Sequence, residues 1–142
     1  MAAQKKDGDD INAIYDSKDF DNAQMLFISE VEHILSETLQ QRKDDVSNYE
    51  FGPIVEKAHS YAKRFGTFTN TTHPQHLRNE LSDPARFGFQ PHEITLLGNL
   101  CPDNLDEAVH LIPSIKQHVG EGVEGAEKID SALLEIQKYC RQ

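Results

Sequence analysis

The chain has 142 residues, 37% apolar and 27% charged, and its 24 acids against 14 bases give a formal charge of -10. That length fits one domain, and the acidity repels nucleic-acid phosphates, which argues against free-standing, non-specific DNA or RNA binding. No apolar run approaches the ~18 residues of a membrane span, the start MAAQKKDGDD lacks the pattern of a signal peptide, and two cysteines far apart in sequence do not make a secreted disulfide framework; the expectation is a soluble, intracellular protein of a reducing compartment.

Residues 1–21 form a tail with six Asp and three Lys. Its apolar residues Ile11, Ile14, Tyr15 and Phe20 follow no helical repeat. They either lie across their own domain or pair with a partner, for example by adding a strand to its sheet. A single helical domain is expected over 22–142. Its first helix, over 22–44, places Phe27 or Ile28, Val31, Ile34 or Leu35, and Leu39 at steps of three and four. A polar linker follows. Pro53 then opens a second helix, since its fixed φ suits a first helical position, with Ile54, Ala58, Tyr61, Ala62 and Phe65 as its buried stripe. A short third helix, capped by Thr71 or Thr72, carries Leu77 and Leu81. SDPARFGFQP is a loop, because its prolines and glycine break regular structure.

Pro91 opens a fourth helix through Ile94, Leu97 and Leu100, and LGNLCPDNLDEAVHLIPSI then packs its instructions closely. Cys101 precedes Pro102, where the α region is disfavoured, so the helix stops. Asn104 caps a fifth helix, with Glu107 three residues on as its capping-box partner. Leu105, Ala108, Val109, Leu111 and Ile112 are its apolar residues, and Pro113 ends it. Every polar residue here has a local structural task, which leaves none for catalysis. After a glycine-rich gap, Ala126, Ile129, Leu133, Ile136 and Cys140 mark an amphipathic sixth helix. The chain reads as all-α, one long helix followed by five shorter ones.

Three motifs with chemical readings yield to plainer ones. GEGVEG matches G-x-G-x-x-G, but no strand precedes it and Glu121 and Glu124 would repel a pyrophosphate. It reads as a flexible linker. His73 and His76 are the only close histidine pair and lack further ligands at zinc spacing; no metal or other cofactor is expected. Cys101 reads as an inert buried thiol rather than a nucleophile. Lys63-Arg64 beside Tyr61, Phe65 and Phe68 could form a stacking platform for single strands, yet the spacing of the aromatics marks them as core.

The block from Leu97 to Ile115 resembles the C-terminal region of the fourth subunits of RNA polymerase II, the smaller stalk subunits. There a helix ending in Leu-Cys is followed by an acidic Glu-Ala helix and Leu-Ile-Pro-Ser. ISEVEHILSETLQQR is similar to the family's first helix, AHSYAKRFGTF to its aromatic second, FQPHEITLLGNLC to its fourth and IDSALLEIQ to its last, so the likeness covers about residues 10 to 140. The motif residues carrying it are Tyr61, Phe65, Leu97, Leu100, Cys101, Pro102, Glu107, Ala108, Leu111, Ile112 and Pro113.

The resemblance implies a nuclear, non-catalytic subunit acting in transcription initiation and RNA handling. It would pair with a larger stalk subunit containing an OB-fold, and the pair would dock on the polymerase core at the base of the clamp. The last five helices would form a bundle like the helicase-and-RNase-D C-terminal (HRDC) fold over 53–141. The partner contact would run through the N-terminal segment and first helix: Ile11, Ile14, Tyr15, Phe20, Phe27, Val31 and Leu35. RNA contact would belong mainly to the OB-fold partner. The alternatives are the equivalent subunit of another nuclear polymerase, whose relatives lack the Leu-Cys-Pro to Ile-Pro-Ser block, or a free-standing HRDC-like nucleic-acid module.

Overall fold

The computed structural model describes residues 23–45, 52–119 and 123–140. Among them are seven α-helices: α1 (Ile28–Asp45), α2 (Pro53–Phe65), α3 (His73–Ser82), α4 (Pro91–Leu100), α5 (Leu105–Leu111), α6 (Lys116–Val119) and α7 (Val123–Gln137). A 3-10 turn, Pro113–Ile115, joins α5 to α6. The described residues contain no strand, so the described fold is all-α.

The helix boundaries follow local chemistry. Proline opens α2 and α4, as expected from its fixed φ. Asn104 caps α5 by accepting from the Glu107 N–H at 2.9 Å. The Glu107 carboxylate reaches one residue further back than a capping box requires and takes the Asp103 N–H at 2.8 Å. α4 closes on Cys101, whose N–H donates to the Leu97 carbonyl. Cys101 is the one non-glycine described residue at positive φ, 43°. The expectation was only that it would leave the helix before Pro102; in fact it fills the left-handed cap position usually given to glycine.

α1 and α2 pack chiefly on each other, while α3 to α7 assemble into a separate bundle crossed by α7. The bundle core includes Leu77, Leu81, Ile94, Leu97, Ala108, Ile112, Ile115, Ile129, Leu133 and Ile136. Phe87 and Phe89 join it from the loop between α3 and α4, their rings parallel and 6.0 Å apart. The Asp83 carbonyl makes that possible by accepting from Phe87 N–H at 2.8 Å and Gly88 N–H at 2.9 Å. Burying each ring stabilises the fold by roughly 1.5–3 kcal/mol.

Several sequence expectations need correction here. α1 starts at Ile28, not at Asn22. Phe27 occupies the position before the helix, its N–H held by Glu30 at 2.8 Å, and its ring is inserted in the bundle with no exposed surface. Leu100 and Leu111, read as core, are largely exposed; each is the last residue of its helix, where no following turn covers it. Of the other motif residues Leu97, Pro102, Ala108 and Ile112 are buried, and Glu107 and Pro113 are exposed. The GEGVEG linker is only partly a linker: Val123, Glu124 and Gly125 form the first turn of α7. A Cβ on Gly125 would sit 1.7 Å from the Val119 carbonyl oxygen, so this glycine is fixed by close approach. Finally, Cys101 and Cys140 are joined in a disulfide across 39 residues of sequence. Separation along the chain hid the pairing, because α7 returns its C-terminal end to the junction of α4 and α5.

Candidate partner-binding surface

α2 turns two unequal faces. Its inner seam is narrow: Ala62 is buried and Val55 and His59 are half-buried. The facing residues of α1 that lose exposure are Val31, Leu35 and Leu39 together with Glu32 and Ser36. The His59 ring lies 2.8 Å from the Ser36 hydroxyl, which in turn donates to Glu32 at 2.8 Å, so a polar clasp crosses the seam. Gly66 finishes it; a Cβ there would stand 3.2 Å from the Ser29 Cα.

The outer face carries the rest of the apolar surface. Ile54 is 82% exposed, Tyr61 57% and Phe65 48%, with Ala58 exposed between them. Spacings of four, three and four residues set them on one side of the helix. Tyr61 and Phe65 touch, with ring centres 4.6 Å apart, and the Arg64 guanidinium lies 5.3 Å from the centre of the Phe65 ring. This is the stripe that the sequence assigned to the core. Of its five residues only Ala62 is buried, because α1 takes a neighbouring, smaller-residue strip of the helix. The objection to a stacking platform, that its aromatics are core, therefore fails for Tyr61 and Phe65 and holds for buried Phe68.

A second apolar surface lies beside the start of α1. Leu26, Ile34, Phe68 and Pro74 line a groove of about 400 Å³, with Glu30, Glu32 and His33 among its polar lining residues. It is anchored from below. The Arg78 guanidinium stacks 4.5 Å from the Phe27 ring centre, forms a bidentate ion pair with Glu30 and donates to the Met25 carbonyl at 2.9 Å. Asn99 of α4 accepts from the Ile28 N–H at 2.9 Å, capping α1 from the bundle.

Of the residues expected to meet a partner, Ile11, Ile14, Tyr15 and Phe20 lie outside the described residues. Phe27 is a bundle anchor and has no surface to offer. Val31 and Leu35 are half-buried. In α2, Ile54, Ala58, Tyr61 and Phe65 are exposed although sequence reasoning placed them inside, and Ile34 it left undecided with Leu35.

Glu93 is 0% exposed at the N-terminus of α4. It accepts from Gln90 N–H at 2.9 Å and Gln117 at 3.1 Å, and His118 Nε2 lies 2.9 Å away. Burial alone would push its carboxyl up; the Gln90 N–H and His118 outweigh that and hold it below the ordinary value of 4.5. His118 also meets the Phe89 ring edge-on at 4.8 Å, so Glu93 ties α6 to α4. His73 packs against Tyr139, with ring centres 4.9 Å apart, and His76 is exposed. Among the described residues no group of three His, Cys, Asp or Glu could hold a metal ion.

Comparison with known proteins fits this geometry to a family. The family model described as RNA polymerase Rpb4 matches residues 25–140. The "DNA-directed RNA polymerase II subunit 4" of Arabidopsis thaliana is 36% identical over 118 residues, spanning 81% of this chain and 76% of that protein. The "DNA-directed RNA polymerase II subunit rpb4" of Dictyostelium discoideum is 39% identical over 61 residues, 43% of this chain and 37% of that one.

Proposed function

The chain belongs to the RNA polymerase Rpb4 family and is an RNA polymerase II subunit, and from that premise we propose that it is the smaller, non-catalytic half of a stalk heterodimer. Its partner is a larger, OB-fold-containing subunit, and the pair sits at the base of the clamp and serves transcription initiation and RNA handling. Membership in the family implies a nuclear location. In this reading α1 and the segment preceding it, joined by the outer face of α2, form the arm that holds the partner, and the HRDC-like body is the bundle over 53–141.

The observation that carries the proposal is the outer face of α2. An amphipathic helix whose Ile54, Tyr61 and Phe65 face water is stable in a complex that covers them. Covering three such side chains offers on the order of 5 kcal/mol before the losses of association. The Phe27 plug, the Arg78–Glu30 pair and the Asn99 cap fix where α1 leaves the bundle and so present the arm in one orientation.

The test is co-purification with the larger stalk subunit, using the full chain, a chain lacking residues 1–22, and Tyr61→Asp. Loss of the partner from both altered chains, with helicity retained by circular dichroism, is the expected outcome. Undiminished pairing by both would remove the arm as the contact. Salt-sensitive RNA binding by the chain alone, abolished by Phe65→Ala, would instead make the Arg64–Phe65 pair a nucleic-acid platform.

A further inference from the structure

We propose that Cys101 and Cys140 are a reversible redox site, closed by a small disulfide of the glutathione class and opened by the corresponding thiol. The bond joins the cap residue of α4 to the turn that follows α7. Disulfides are rare in reducing compartments, and those that occur there are mostly transient or sensing. The nuclear location on which this rests follows from family membership, not from the stalk reading. A bond that closes in such a setting must exchange with the thiol pool.

The surroundings of the pair fit exchange rather than a permanent staple. Both cysteines are half-buried at the margin of the core, whereas Leu97 and Ile136, one turn before each, are buried completely. Neither cysteine is therefore sealed within the closed core. The bundle also has its own apolar core, from Leu77 through Ile136, against which both cysteines pack only from the margin. What opening frees is local: the turn Lys138–Cys140, including Tyr139 where it packs on His73 at the start of α3. The strained backbone of Cys101, at φ 43°, lies at the same point and can relax when the tether is gone.

The chemistry balances with a single co-reactant. One protein thiolate attacks a sulfur of oxidised glutathione, forming a mixed disulfide and expelling one glutathione thiolate. The second protein thiolate then attacks the protein sulfur of that mixed disulfide and expels the second. Two protein thiols and one glutathione disulfide become one protein disulfide and two glutathione thiols.

The test equilibrates the purified full chain across a series of reduced-to-oxidised glutathione ratios, quenches with acid, alkylates the free thiols and weighs the intact protein. The two thiols should disappear together, and a non-reducing peptide map should show the Cys101–Cys140 crosslink. The oxidised form should melt higher by on the order of 10 °C. Cys101→Ser and Cys140→Ser should each abolish both the crosslink and the redox dependence of melting; if either variant folds poorly, wild type in dithiothreitol against oxidised glutathione supplies the same comparison. Alkylation of both cysteines at every ratio, a persistent glutathione adduct without the crosslink, or identical melting of the two forms would overturn the proposal. Because the isolated chain is used, such a failure leaves the pairing with the larger subunit untouched.

Discussion

Phe27 shows how much a single residue can decide. Its ring meets Phe68 edge-on at 5.1 Å and lies under Arg78. It also lies against Gly98, where a Cβ would stand 2.3 Å from Phe27 Cε1. Gly98→Ala thus forces either the ring or α4 to move, and should destabilise the protein by about 1–3 kcal/mol in urea unfolding, although alanine is the better helix former. An unchanged midpoint would mean that the ring is not seated there. Glu93 gives a second residue-level expectation, with a sign fixed by its lowered pKa. The stability it contributes is present above about 4.5, the unfolded value, and is lost as pH falls through the folded one. Glu93→Gln should therefore unfold more easily than wild type at roughly pH 7, by about 1–3 kcal/mol, and the gap should narrow toward roughly pH 3. A gap that widened in acid would contradict the assignment. Neither residue stood out in the sequence: the glycine sits inside a helical pattern, and the glutamate reads as an ordinary first-turn acid.

At the scale of the element, α2 separates what periodicity says from what it leaves open. The spacing of Ile54, Ala58, Tyr61 and Phe65 identifies a helix with an apolar side, and Pro53–Phe65 is that helix. Periodicity does not say which chain covers the side. Here the intramolecular seam falls on Ala62, His59 and Val55, small or polar enough for close approach, and the larger residues are left facing out. Tyr61→Asp should leave the isolated chain within about 0.5 kcal/mol of wild type, whereas Ala62→Asp should melt the α1–α2 pair by burying an unpaired charge. Chemical denaturation of the two variants side by side would separate the faces; equal losses would mean that Tyr61 is not exposed. The loop between α3 and α4 was illegible for the opposite reason. Proline and glycine announced a break, and nothing local revealed that the Asp83 turn folds Phe87 and Phe89 back into the core.

For the whole molecule, the division between the α1–α2 pair and the α3–α7 bundle has a consequence for stability. Six of the seven helices, their order and most of their ends were readable in the chain because caps and prolines act locally, whereas α6, Lys116–Val119, was not. Long-range facts were not: the plug at Phe27, the ion pair between Glu30 and Arg78 across 48 residues, and the Cys101–Cys140 bond. The bond lies within the bundle, whereas the Phe27 plug, the Glu30–Arg78 pair and the Asn99 contact with Ile28 join the α1–α2 pair to it, so the two parts need not open together. α2 contributes one buried side chain, Ala62, while α7 buries Ile129, Ala132, Leu133 and Ile136. Amide exchange protection follows local burial. In the isolated chain the amides of α2 should therefore exchange well before those of α4 and α7. Phe27→Ala, which removes the plug at roughly 3–5 kcal/mol, should speed exchange in α1 and α2 far more than in α7. Binding of the larger subunit should reverse the order of effect, protecting α2 most, because the cover its outer face lacks is then supplied. Exchange followed by mass spectrometry reads all three states, and uniform protection across α2, α4 and α7 in the free chain would show the molecule to be one cooperative unit.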